Sequence, residues 1–289
     1  MRDLFTQIEF FREALSFTSQ SSGFPERLIE KDYVCTLLLE VLTAAHDELV
    51  FKGGTCLAKV YADFYRMSED LDFVIPMPVD ASRSKRSAHA KSLKDIIGAL
   101  PEQFPFVRVV EPLTGFNNSM QYNAVVGYAS SLGGREETIK IEVGLREPLR
   151  LPPVDAAAKT VLLDPVSRER LVPVIKVRCI SRTEALAEKF QAALSRRESA
   201  LRDFFDLDCA VRNLDLKPDD GELVALVRDK MQIPGNDPID VSASRMADLR
   251  QQLEPQLRPV LRSEDFREFD LDRAFGIAAR LEERLRSLR

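Results

Sequence analysis

Apolar residues recur at helical spacing at both ends of the chain, whereas the middle contains short apolar stretches of the length of strands. In residues 25–46, PERLIEKDYVCTLLLEVLTAAH, the apolar positions follow a period close to 3.6, and Pro25 suits the first turn of a helix. From Ser181 the helical pattern continues to the end of the chain, except for residues 233–241. The pattern therefore predicts helices, then a sheet, then a second helical region.

Five apolar stretches predict strands, and Gly133 with Gly134 marks a hairpin turn between the last two. A helical stripe that reaches Phe64 separates the first two strands. The proline-rich residues 148–173 are interpreted as a connection between two lobes. The predicted strands are residues 48–54, 70–78, 106–112, 120–130 and 138–148.

These elements predict an α+β fold, with a small mixed sheet flanked by helices and an α-helical C-terminal lobe. We expect the helical N-terminus and the sheet core within residues 1–165, and the helical lobe within residues 166–289. The length of 289 residues suits two lobes, because single cores rarely grow past roughly 250 to 300 residues.

The composition is that of an ordinary globular protein, with 45% hydrophobic and 30% charged residues. A net charge of −5 provides no global positive field, so a nucleic-acid partner needs a local basic surface. The four cysteines form no close pair in sequence and there are only two histidines, so we expect no zinc. No apolar run approaches the roughly 18 residues of a membrane span, so we expect no membrane partner and a cytoplasmic location.

Gly53, Gly54 and Thr55 follow the first predicted strand and open a helix. A turn of this kind presents backbone N–H groups at the positive end of a helix dipole, where a phosphate binds favourably. A plain chain reversal is the common alternative, because an isolated glycine motif is a weak signal.

Asp70 and Asp72 lie two residues apart in the second predicted strand. They therefore project from one face of the sheet, while Leu71 and Phe73 enter the core. Two adjacent carboxylates repel each other unless a cation neutralises them, and carboxylate oxygens suit hard divalent ions. For a lone Asp-x-Asp, the alternative is a solvated edge strand of alternating charge.

The glycine turn and the two aspartates belong to one strand–turn–helix–strand unit, which places a triphosphate beside metal-binding carboxylates. This combination is typical of nucleotidyl transfer, in which two Mg²⁺ ions about 4 Å apart activate the attacking oxygen and stabilise the leaving pyrophosphate. Glu142 alternates with Ile141 and Val143, so it is a candidate for a third carboxylate across the sheet. Its alternative role is an exposed strand residue paired with Lys140.

Residues 51–73, FKGGTCLAKVYADFYRMSEDLDF, resemble the glycine-glycine-threonine, arginine and Ser-Glu-Asp-x-Asp signature of the AbiEii/AbiGii-type toxin nucleotidyltransferases. This group contains the MenT toxins and lies within the polymerase-β-like superfamily. Residues 29–39 are similar to the Glu-Lys-Asp segment that precedes the signature, and residues 184–208 resemble the family's lysine helix and Arg-Asp-x-x-Asp-Leu motif. The resemblance implies a polymerase-β-like core in which Asp70 and Asp72 are catalytic metal ligands.

The same resemblance implies that Lys189 contacts the NTP phosphates and that Asp203 is a catalytic residue nearby, in a cleft closed by the C-terminal lobe. From the residues alone, Lys189 lies one position off an apolar helical stripe, which is commonly a solvated position. Asp203 and Asp206 share a helix face, so each needs a partner such as Lys189, Arg202 or a bound nucleotide.

The reaction implied by the resemblance is transfer of an NMP from an NTP to an acceptor, with Mg²⁺ or Mn²⁺ as cofactor. In this family the acceptor is often the 3′ end of tRNA, and the enzyme is the toxin of a type IV-like toxin–antitoxin or abortive-infection system with an antitoxin encoded nearby. Two basic segments, residues 83–94 and 168–182, are able to hold acceptor phosphates, although basic surface loops are common.

Two other functions remain open from the sequence. One is a nucleotidyltransferase that acts on a small molecule or on protein hydroxyls, since polymerase-β-like folds serve both. The other is a non-catalytic binding module, which is disfavoured because Gly53, Gly54, Asp70 and Asp72 are all present.

Overall fold

The chain forms two compact units, one ending at Ile180 and the other beginning at Ser181, in a computed structural model that describes residues 4–287. The boundary expected after residue 165 lies inside the first unit. The reason is that residues 175–179 form a strand of its sheet. Each unit has its own buried apolar residues.

A seven-stranded mixed sheet is the centre of the first unit. Its strands are β1 (Val50–Lys52), β2 (Leu71–Val74), β3 (Val107–Phe116), β4 (Gln121–Ala129), β5 (Glu136–Gly144), β6 (Val154–Ala158) and β7 (Ile175–Cys179). The spatial order is β3-β4-β5-β2-β1-β7-β6, in which β2 pairs with β5 and β1 with β7 in parallel. The other neighbours are antiparallel. The α+β prediction with a mixed sheet is confirmed.

The interpretation of residues 148–173 as a connection between lobes is wrong in part. Residues 154–158 form the edge strand β6, which pairs with β7 from Val154 opposite Cys179 to Ala158 opposite Ile175. The five predicted strands are all present, but β1, β2 and β4 are shorter than predicted, β3 extends further, to Phe116, and β5 is shifted toward the N-terminus, to Glu136–Gly144. The hairpin at Gly134 is also present, with a φ of 68° and its N–H bonded to the Ser130 carbonyl.

Six α-helices accompany the sheet in the described part of the first unit. They are α1 (Ile8–Ser22), α2 (Glu26–Ala45), α3 (Gly53–Cys56), α4 (Arg83–His89), α5 (Lys91–Gly98) and α6 (Leu100–Gln103). Helix α2 starts one residue after Pro25 and is buried along most of its length. Helix α3 continues as a π-helical turn, Leu57–Tyr61, and the helix ends there. The predicted extension to Phe64 is wrong, because the chain reverses at Asp63 and Phe64 with φ values of 45° and 60°.

A buried ion pair joins α2 to the turn after α3. The Lys59 ammonium donates to Asp32 Oδ1 at 2.5 Å and to Thr36 Oγ1 at 2.7 Å. The other Asp32 oxygen accepts from Thr160 Oγ1 and from the Val161 N–H, both at 3.0 Å. Lys59 and Asp32 are 1% and 3% exposed, so this network is held away from water. It fastens the helix behind the glycine turn to α2.

The two residues before Asp32 fasten other segments. Glu30, which is fully buried, accepts from Ser130 Oγ at 2.6 Å and from the Ser131 N–H at 2.7 Å. Lys31 donates to Glu69 at 2.8 Å, immediately before the two aspartates. The Glu-Lys-Asp segment of α2 therefore holds three separate parts of the first unit in place.

The second unit is helical, as predicted. Its helices are α7 (Arg182–Ser195), α8 (Leu201–Asn213), α9 (Gly221–Met231), α10 (Ala243–Gln251), α11 (Ser263–Glu268) and α12 (Leu271–Ser287). Residues 233–241 contain no helix. The Ser181 side chain caps α7 by accepting from the Glu184 N–H at 3.3 Å. Within residues 4–287, no helix combines the length and the apolar character needed to cross a bilayer.

Candidate active site

The glycine turn follows β1 directly and lies against β2. Gly53 has a φ of +74°, a left-handed conformation that residues with a Cβ rarely adopt. A Cβ at this position would also overlap Asp72 Oδ2. A Cβ on Gly54 would lie 2.6 Å from Arg66 Nη2 and 3.1 Å from Ser68 Oγ. Gly53 is therefore required at this turn, and a side chain on Gly54 would have to displace the Arg66 guanidinium.

A Gly53→Ala substitution is expected to lower the free energy of unfolding by about 1–3 kcal/mol, because it adds a strained φ and displaces the Asp72 carboxylate. Gly133→Ala is the matched control, since an added Cβ there meets nothing within 4 Å. Urea unfolding of the two variants measures the difference. Equal stabilities would show that Gly53 is dispensable for the fold.

Asp70 lies immediately before β2 and Asp72 within it, on either side of the buried Leu71. Both aspartates are half-buried, which agrees with the predicted alternation. The buried hydroxyl of Thr55 donates to the Asp70 carbonyl oxygen. The Thr55 side chain therefore ties the glycine turn to β2. Only the backbone N–H of Thr55 remains suited to the phosphate contact that the sequence predicts.

Strand register places Asp72 and Glu142 side by side. Asp72 of β2 is the partner of Glu142 in the parallel neighbour β5, and of Lys52 in the antiparallel neighbour β1. On its other side Glu142 is the partner of Asn123 in β4. Adjacent strands are about 4.8 Å apart, so the carboxylates of one row can share a cation. The structure thus brings the two carboxylates into the same row of the sheet.

Glu142 is also paired with Lys140, the alternative that the sequence left open. The Lys140 ammonium contacts Glu142 Oε1, and Gln121 Nε2 donates to Glu142 Oε2 at 3.4 Å. The hydrogen bond with Glu142 is the main cause that raises the pKa of Lys140, and burial opposes it. The charges of Glu142, Asp70 and Asp72 raise it further, so all three carboxylates act on this ammonium.

Whether a divalent cation fits this site depends on the oxygen ligands that Asp70, Asp72 and Glu142 offer. Aspartate and glutamate oxygens are the ligands that Mg²⁺ and Mn²⁺ prefer, and Asp72 and Glu142 lie in register. Across residues 4–287, no three histidine, cysteine or carboxylate side chains are gathered as a preformed metal cluster. The donor chemistry and positions fit a divalent ion at Asp70 and Asp72, and Glu142 fits once its contact with Lys140 is exchanged.

The second unit holds the other predicted residues in an ion cluster between α7 and α8. Lys189 Nζ lies 2.8 Å from Asp203 Oδ1 and 2.8 Å from Asp206 Oδ2. Arg196 Nη1 lies 3.2 Å from the remaining Asp203 oxygen. Asp206 has a fully buried side chain and Lys189 is 13% exposed, so Lys189 is not a solvated surface lysine. The expected cationic partner of the two aspartates is thus Lys189.

Two charged residues near the glycine turn had no assigned role from the sequence. Arg66 is 2% exposed, with Nη2 against Gly54 and Nη1 donating to the Met67 carbonyl at 3.0 Å. Lys59 is the buried partner of Asp32. The sequence feature that could have indicated a buried role for Lys59 is its position between Ala58 and Val60 in an otherwise apolar helix.

Comparison with known proteins identifies the family. The family model described as "Nucleotidyl transferase AbiEii toxin, Type IV TA system" matches residues 36–285. The chain belongs to the AbiEii family of toxin nucleotidyltransferases. As an AbiEii protein it is a nucleotidyltransferase, a class of enzyme that generally uses a nucleoside triphosphate and a divalent metal ion. A toxin of such a system also implies an antitoxin as its partner.

Two solved structures from Helicobacter pylori share the AbiEii chain's fold at low sequence identity. JHP933 from Helicobacter pylori matches with a TM-score of 0.51 and 16% identity, over 92% of this chain and 96% of that chain. A nucleotidyltransferase structure from H. pylori gives the same score and identity, over 90% and 97%. MenT4, a nucleotidyltransferase toxin from Mycobacterium tuberculosis H37Rv, gives 0.44 and 18%, over 96% and 99%. No match was found among curated proteins.

Proposed function

We propose that this AbiEii protein is a Mg²⁺-dependent toxin that transfers an NMP from an NTP onto RNA, at the 3′ end of tRNA. The observation that carries the metal and nucleotide assignments is the contact between Gly53 and Asp72, with Glu142 in register beside Asp72. It brings a helix N-terminus and a pair of carboxylates together in one short unit. Triphosphates and divalent cations need these two features side by side.

In the proposed reaction, a hydroxyl oxygen of the acceptor forms a bond to the α-phosphorus, and the bond from this phosphorus to the bridging oxygen breaks to release pyrophosphate. Asp70 and Asp72, with Glu142, would hold the metal. When bound, it supplies positive charge that activates the hydroxyl and stabilises the leaving group. The N–H groups of Gly53, Gly54 and Thr55 bind the triphosphate and orient it. The hydroxyl proton passes to a carboxylate or to solvent.

We also assign Lys189 and Asp203 to this reaction, with Lys189 as a cation for the NTP phosphates. The support is that Lys189 Nζ lies 2.8 Å from carboxylate oxygens of both Asp203 and Asp206, while 13% of its side chain is exposed. Replacement of Lys189 by methionine is expected to lower the transfer rate about a hundredfold, the usual effect of removing one stabilising donor.

A double variant keeps that test free of folding effects. Lys189→Met alone removes the ammonium that lies 2.8 Å from the buried Asp206, whereas Lys189→Met with Asp206→Asn removes one charge of each sign. Initial rates are measured per mole of folded protein, with folding checked by circular dichroism. A double variant as active as the original chain would remove Lys189 from the mechanism.

For the acceptor we favour RNA because α4 and α5 expose several cations. Arg83, Lys85 and Lys91 are exposed, whereas Arg86 is buried and donates to the Leu145 carbonyl at 3.0 Å. An RNA strand would contact the exposed cations through its phosphates. The second basic segment supports RNA less, since Arg170 in it is paired with Asp63 at 2.7 Å.

A triple variant in which glutamine replaces Arg83, Lys85 and Lys91 is expected to label RNA about tenfold more weakly. The slope of the logarithm of the RNA-binding constant against the logarithm of the salt concentration is also expected to become shallower by about two, since each phosphate contact on a single strand contributes roughly 0.7. The measurement is transfer from labelled NTP to total RNA over a range of salt concentrations. Unchanged labelling of RNA by the triple variant would show that these residues do not hold the acceptor.

The experiment that tests the proposed function combines the purified protein, Mg²⁺, each α-labelled NTP and total RNA. Label in the tRNA fraction supports the proposal. Label on protein, or on a small molecule, would instead support the second candidate function left open by the sequence. No incorporation with any NTP, despite nucleotide binding, would favour a non-catalytic module.

A further inference from the structure

Lys140 lies two residues before Glu142 on β5, so the two side chains leave the same face of the sheet. Its ammonium contacts Glu142 Oε1. Asp72 is in register with Glu142, and the charges of Asp70 and Asp72 both act on Lys140. One ammonium therefore offsets part of the negative charge of three carboxylates.

The Lys140–Glu142 pair is only partly shielded from water. The side chains are 43% and 32% exposed, whereas those of the Lys59–Asp32 pair in the same unit are 0% and 3% exposed. Exposed ion pairs contribute little to stability and break easily, while buried ones are costly to break. Lys140 is thus an exchangeable cation, and Lys59 is a fixed one.

A divalent cation at the carboxylates competes for the same oxygen. Glu142 Oε2 already accepts from Gln121 at 3.4 Å, and Oε1 is held by Lys140. Hard divalent ions bind carboxylate oxygens directly, through one or both of them. Two positive groups on one carboxylate oxygen repel each other, so the ammonium has to leave Oε1 when the ion takes it.

We propose that Lys140 is an internal counter-ion of the Asp70, Asp72 and Glu142 carboxylates, and that a divalent cation displaces it from Glu142. This inference rests on the proposed function, because it takes these carboxylates as the metal site. Lys140 lowers the repulsion among them before the ion binds. It also sets a concentration of divalent cation below which Glu142 stays paired with lysine.

The test is isothermal titration of the full chain with Mn²⁺ alone. Lys140→Met keeps the length of the side chain and removes the charge, so the Kd for Mn²⁺ is expected to fall about two- to fivefold. The melting temperature without added metal is expected to fall, and the rise on adding Mn²⁺ to be larger than in the original chain. Lys176→Met, an exposed lysine on β7, is the matched control and should change neither quantity.

A Kd for Mn²⁺ that Lys140→Met leaves unchanged or raises would overturn the counter-ion role. Asp72→Asn in the same titration separates this result from failure of the proposed function. Mn²⁺ binding that Asp72→Asn abolishes, and that Lys140→Met does not tighten, contradicts the counter-ion alone. Absence of Mn²⁺ binding to the original chain contradicts both.

Discussion

Replacement of Lys59 by methionine is expected to lower the free energy of unfolding by about 3–5 kcal/mol, the usual cost of removing one partner of a buried ion pair. Asp32 would keep its hydrogen bonds from Thr160 and Val161. It would lose the Lys59 ammonium at 2.5 Å, which is its ion-pair partner within the described residues. Methionine is close to lysine in length, so the packing changes little. Urea unfolding followed by circular dichroism gives the value.

Two further variants control this prediction. Lys91→Met removes an exposed lysine of α5 and should alter stability by no more than about 0.5 kcal/mol. Lys59→Met combined with Asp32→Asn removes both charges, so it should be less destabilising than Lys59→Met alone. A loss below about 1 kcal/mol for Lys59→Met would show that the pair does not hold α2 against the glycine turn.

Replacement of Asp72 by asparagine is expected to slow nucleotidyl transfer by roughly a thousandfold. A metal ligand contributes several kcal/mol of charge stabilisation in the transition state, and each 1.36 kcal/mol corresponds to about a factor of ten. The stability of the protein should hold or rise, because a negative charge leaves a cluster that includes Asp70 and Glu142. Single-turnover transfer from labelled NTP and thermal unfolding measure the two effects.

The matched control for Asp72→Asn is Asp155→Asn, the same change at an exposed position of β6. It should leave the rate within about twofold, since surface changes away from a site have small effects. An Asp72→Asn variant that transfers as fast as Asp155→Asn would remove Asp72 from the reaction.

The fold was predictable where local patterns are strong. The apolar run of α2 and the alternation of β4 and β5 reflect burial, which the residue order records directly. Strand β6 was missed because its sequence, VDAAA, follows two prolines and contains only one β-branched residue and no aromatic one. It is a strand through backbone pairing with β7, a long-range contact that leaves no local signal. The helix was wrongly predicted to reach Phe64, because the chain reverses through positive φ values at Asp63 and Phe64 although neither residue is a glycine.

The candidate site was predictable to the level of single strands. Alternation alone put Asp70 and Asp72 on one face, and the register of β2 with β5 agrees with the expected position of Glu142. The ion pairs were harder to predict, since Lys59 and Asp32 are far apart in the sequence. For Glu142 the sequence predicted two alternative partners, a metal ion and Lys140. The sequence does not decide between them, because the two cations compete for the same carboxylate.

The most direct test of the central claim, that Asp72 holds the metal during nucleotidyl transfer, is a change of metal preference. Asp72→Cys puts a soft thiolate in place of a hard carboxylate, and thiolates favour softer ions over Mg²⁺. We expect this variant to lose transfer from labelled NTP in Mg²⁺ and to regain part of it in Cd²⁺, while the original chain works best in Mg²⁺. Activity of the variant in Mg²⁺ equal to that of the original chain would contradict the claim.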